Sequence, residues 1–110
     1  MTPIATTPYK QQSTLVLDLP PLDPADKTYD VTTGSDTLQP TRITLDYRHQ
    51  PTAAIRQTIE ATVKGRFRNT DDTISTMSNT AEVWRDAPAD GRPAWVVALV
   101  LANLPDWWGQ

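Results

Sequence analysis

The chain has 110 residues, with 10 basic against 13 acidic side chains, ten prolines, a single His and no Cys. That length predicts one domain with a modest core. The missing thiols exclude Cys nucleophiles, disulfides, Cys-bound zinc and iron–sulfur clusters, and one His leaves no His-rich metal site, so no cofactor is expected.

The first twelve residues, M-T-P-I-A-T-T-P-Y-K-Q-Q, carry neither a charged nor an apolar signal region, so no secretory signal is expected. The longest apolar run, Ala94 to Ala102, is nine residues; a membrane-spanning helix needs roughly 20. A soluble, cytoplasmic protein without a membrane partner is the expectation.

Residues 1–40 hold six of the ten prolines and little periodicity, and read as an extended, irregular arm. One strand interrupts it at Ser13 to Leu19, where Leu15, Leu17 and Leu19 alternate with Thr14, Val16 and Asp18 until Pro20 and Pro21 stop the ladder. The stretch from Leu22 to Asp36 has turn chemistry, with Asx residues, Pro24 and Gly34.

Residues 41–110 read as a β-hairpin plus helix domain. Arg42 to Arg48 alternates Ile43, Leu45 and Tyr47 with polar residues. From Ile55 to Arg68 the odd positions are mainly apolar and the even ones all polar, a long strand in which Gly65 marks a bulge or bend. Asn69 to Asp72 turns the chain into a return strand ending at Arg85. Placing Val63 opposite Met77, Ile59 opposite Ala81 and Gln57 opposite Val83 keeps the apolar sides together and sets Arg56 against Trp84 as a cation–π pair.

Pro93 suits a helix start, and Ala94 to Leu104 is apolar except for Asn103 until Pro105. Length and Ala and Leu content favour a helix; three valines leave a buried strand as the alternative. The expected fold is α+β: a small, mostly antiparallel sheet with a long hairpin, one C-terminal apolar helix and a Pro-rich N-terminal arm. Its expected core is Ile43, Leu45, Tyr47, Ile59, Val63, Phe67, Met77, Val83, Trp95, Leu99 and part of the C-terminal tail, with at least one of Trp107 and Trp108 mostly buried against the sheet or across a subunit contact.

A helix apolar all round needs more cover than one sheet face gives. With the Trp-rich tail it predicts a protein interface or self-association through Trp95, Val96, Leu99, Val100, Trp107 and Trp108. Charge offers an alternative. Residues 42–68 carry 6 basic against 2 acidic side chains, and Arg56, Lys64, Arg66 and Arg68 on one strand face form a stripe suited to phosphates. Against it, no aromatic ladder accompanies the stripe.

Chemistry finds little support. His49 has no serine in a nucleophile-elbow context, Asp71 and Asp72 sit in a turn that wants Asx residues, and Asp86 to Gly91 lacks the ligand alternation of a calcium loop. The expectation is no enzyme, with a site shared across an oligomer as the remaining catalytic alternative. The segments T-V-K-G-R-F-R, A-E-V-W-R-D-A-P and P-A-W-V-V-A-L-V, followed by P-D-W-W, resemble small uncharacterised proteins of actinobacterial phages and prophages. The resemblance spans Thr62 to Trp108. It implies a virion component or phage-encoded accessory protein in the virion or host cytoplasm, and carries over no catalytic residue.

Overall fold

The computed structural model describes residues 11–49, 57–85 and 92–108. Within them run β1 (Gln11–Asp18), β2 (Val31–Thr33), β3 (Asp36–His49), β4 (Gln57–Arg68), β5 (Ile74–Arg85) and α1 (Ala94–Ala102). The sheet is antiparallel in the order β1-β3-β4-β5, and β2 shares with β1 the same side of β3. This is the α+β architecture that the alternation and the apolar C-terminal run predict.

β3 is the organising strand, because its 14 residues pair with three neighbours. Its C-terminal half faces β1, with Leu45 opposite Leu15 and Ile43 opposite Leu17. Its N-terminal end turns back on β2 through Gly34 and Ser35, and Gly34 takes the positive φ that a two-residue hairpin of this kind requires. β3 therefore crosses the division drawn at residues 40 and 41. Residues 11–18, 31–33 and 36–40 join the sheet, and two of them, Val31 and Leu38, lie in the core.

Between the two pairings β3 slips register at Pro40, which removes a ladder donor, and Gly65 of β4 lies opposite. A Cβ on Gly65 would come within 2.6 Å of the Gln39 carbonyl oxygen and 3.0 Å of Leu38 Cβ, so the strands approach too closely for any side chain. The bulge expected near Gly65 is therefore present, on the partner strand. The Pro-rich segment 19–30 closes over this point. Asx turns at Asp23 and Asp26 fold it, and buried Gln39 donates through Nε2 to the carbonyls of both.

The β4–β5 hairpin keeps the expected faces but not the expected register. Val63 pairs with Ala81 instead of Met77. The loop has five residues, 69–73, in which Asp71 accepts from Thr73 and Asp72 takes φ 69°. β5 then accommodates extra residues twice, opposite Phe67 and at Val83. The first adds two residues, an even slip that leaves Ser78 to Glu82 on their expected faces, and the second adds only one. Met77 falls in the first irregularity and is 68% exposed instead of core. The second turns Trp84 onto the core side opposite Ala61, with the Arg92 guanidinium 4.0 Å from its ring centroid. The Arg56 assigned to Trp84 lies outside the described residues.

Pro93 opens α1 with an extended backbone, its carbonyl accepting from the amides of Val96 and Val97. The helix ends at Ala102, short of Leu104, where Asn103 Nδ2 donates to the Leu99 carbonyl at 2.8 Å. Val96 and Val100, one turn apart, are fully buried against Ile43, Leu45, Tyr47, Ile59, Ala61, Val63 and Ala81. Phe67, Val83, Trp95 and Leu99 pack around that core half-buried.

Candidate interaction surface

The C-terminal tail returns over β1 and β3. Trp107 donates from Nε1 to Ser13 Oγ at 3.2 Å and lies 6.0 Å from the His49 ring; Trp108 meets Tyr47 edge-on at 5.8 Å. Both indoles are half-buried. The tail is thereby a latch on its own sheet, and much of the indole surface assigned to a partner is spent internally.

Tyr47 ties helix to sheet. Its hydroxyl donates to the Val100 carbonyl at 2.7 Å, an acceptor in the last turn that has no partner within the helix. Burial pushes the Tyr47 phenol above its ordinary pKa, because a phenolate there would lose its water.

Of the six residues assigned to an interface, Val96 and Val100 have no exposed surface and belong to the core. They were grouped with the others because an apolar helix without a polar side gives no sign of which residues point inward. The exposed side is instead Ala94, Ala98, Leu101 and Ala102, with Leu104 beyond the helix end; Leu101 is 59% exposed. Trp95 and Leu99 remain in the surface. They line an apolar groove of about 430 Å³ with Leu19, Pro20, Leu22 and Tyr29 from the segment after β1. Tyr29 sets an edge against Trp95 at 5.6 Å and 89°, fixing both rings. The contribution of the Pro-rich segment to this groove had no local signal in the sequence.

On the opposite face of the sheet, three of the six basic side chains of residues 42–68 are paired with carboxylates. Arg42 pairs with Asp18 and Arg48 with Asp46. Arg68 is withdrawn altogether. Its side chain is 5% exposed, forks onto Asp30, and donates to the carbonyls of Pro24, Asp26 and Asp72. The hydrogen bond to Asp30 raises its pKa further. Arg68 is thus a clamp between the hairpin tip and the Pro-rich segment, not a phosphate ligand. Lys64 and Arg66 are exposed and have no ion pair among the described residues. Arg56 lies outside them.

The residues considered for chemistry are dispersed. His49 is buried under Trp107 at the end of β3, while Asp71 spends its carboxylate on Thr73, hydrogen bonds that hold its pKa below the ordinary value. Asp72 pairs with Lys27. Asp86 to Gly91 lies outside the described residues. Among the described residues no group of three His, Cys, Asp or Glu is placed to hold a metal ion, and no helix is long and apolar enough to cross a membrane. Comparison with protein-family models, curated proteins and solved structures gives no match.

Proposed function

We propose that this chain is a non-catalytic protein-interaction module whose partner surface is the exposed side of α1 and the groove beside it. The carrying observation is the mismatch between composition and cover. All nine helical residues are apolar, yet only Val96 and Val100 are buried, leaving Leu101 and three alanines facing outward. A contiguous apolar surface rimmed by polar residues is the usual mark of a protein contact. A virion component or phage-encoded accessory protein fits this reading, in line with the resemblance of Thr62 to Trp108.

The test is dye binding and light scattering on the pure protein. Wild-type protein should bind an apolar-surface dye or self-associate, and Leu101→Glu should suppress either behaviour while leaving the melting temperature unchanged. A monodisperse monomer that binds no dye removes the main support. A second reading, nucleic-acid binding, draws on exposed Lys64 and Arg66. It predicts salt-dependent binding of an oligonucleotide that Lys64→Ala with Arg66→Ala weakens; no binding at low salt ends it.

A further inference from the structure

The Pro-rich segment after β1 has two sides. One faces α1 and forms the groove described above. The other faces the hairpin, where a second groove of about 460 Å³ opens between Pro20, Pro21, Leu22 and Pro24 on one wall and Ile74 at the start of β5 on the other. Proline rings are stiff and lack an amide donor, so this wall is apolar and held in shape before anything binds.

Arg66 is the one ionisable side chain in the lining. Arg42, Arg48 and Arg68 on β3 and β4 each hold a carboxylate, but Arg66 has no ion pair among the described residues. Lys64, two residues away on the same face of β4, is likewise exposed without one. Placing an uncompensated guanidinium at the rim of an apolar groove selects for an anion attached to an apolar body, and its planar fork matches a carboxylate. No aromatic ring lines the groove, so nucleotide bases would have no stacking platform. That favours a peptide over single-stranded nucleic acid.

We infer that this groove binds an acidic segment of a partner protein: an extended stretch in which an apolar side chain seats against the prolines and a neighbouring Asp or Glu pairs with Arg66. Lys64 is placed for a second carboxylate. This groove shares Leu19, Pro20 and Leu22 with the α1 groove but opens toward Arg66 and Ile74, and binding there does not depend on the α1 surface.

The experiment is selection of a random-peptide library on the full chain, followed by fluorescence anisotropy with the strongest peptide. Enriched peptides should carry Asp or Glu beside an apolar residue. Affinity should fall by about tenfold or more in Arg66→Glu and recover when the peptide's acid is replaced by Lys. Pro21→Asp, on the wall that belongs to this groove and not to the α1 groove, should weaken the same peptide. Both variants should melt as wild type does, since Arg66 and Pro21 are exposed. Peptides without acids, binding indifferent to Arg66→Glu, or no enrichment would overturn the inference. Binding abolished by Leu101→Glu but not Arg66→Glu would also overturn it while supporting the α1 surface. A single-stranded oligonucleotide that binds through Arg66 when no acidic peptide does would reassign the patch and overturn it.

Discussion

Tyr47→Phe removes one oxygen from the contact that joins α1 to the sheet. Tyr47 is 1% exposed, and its hydroxyl donates to the Val100 carbonyl at 2.7 Å. The ring stays, so packing against Trp108 survives and the loss is confined to the hydrogen bond. A typical protein hydrogen bond is worth about 1 kcal/mol net, but removing one partner and stranding the other in a buried place costs about 1–3 kcal/mol, so about 2 kcal/mol is expected. For a domain of this size that lowers the melting temperature by roughly 10 °C. The phenol adds a pH signature. Its folded-state pKa lies above the ordinary 10.0, so the folded chain holds this proton more tightly than the unfolded one. Its stabilisation is complete below pH 10.0 and is lost as pH rises through the folded value. The gap between wild type and Tyr47→Phe should therefore narrow above pH 10.0. Thermal denaturation followed by circular dichroism on both sides of that pH reads both effects. Melting of the variant within about 2 °C of wild type at neutral pH would refute the proposed anchoring of α1 through this bond.

Gly65→Ala should cost about 2 kcal/mol by urea unfolding, because the new methyl meets a backbone oxygen that cannot turn aside; an unchanged midpoint would mean that β3 and β4 separate freely there. Arg68→Met keeps the aliphatic stem but removes the donor from Asp30 and from the Pro24 and Asp72 carbonyls, and should cost about 3 kcal/mol in the same assay. Deleting Leu104 to Gln110 removes two half-buried indoles, an upper estimate of about 5 kcal/mol at ~25 cal/mol/Å². The truncated chain should melt lower or lose self-association; if it behaves as full length, the tail is an anchor for an external partner instead of a latch.

Strands with one wet and one dry face were legible because alternation writes them directly: Ile43, Leu45 and Tyr47, then Ile59, Ala61 and Val63, all lie in the core. The helix was legible from its length and from Pro93. The hairpin register was not, because Met77 looks like a core residue, yet the irregularity in β5 opposite Phe67 takes it out of the ladder and leaves it exposed. Val31 and Leu38 stand alone among Asp, Thr and Pro, so neither forms a pattern, yet both are buried through pairing of β2 with β3. Arg68 was misread for a related reason. Its partner Asp30 is 38 residues away, and nothing local distinguishes a clamped arginine from a free one. On α1, a sequence apolar in every direction could announce an interface but not which residues face it.

Photo-crosslinking tests most directly the claim that the outward side of α1 is a protein interface. A photoreactive amino acid is placed at Leu101 in the full chain, with a matched one at Thr44 on the opposite sheet face, and both are irradiated in cells that naturally produce the protein. A discrete protein adduct, to a second copy or to one partner, is expected from position 101 and none from position 44. Equal or absent adducts at the two positions, with the protein folded and present, would contradict that claim.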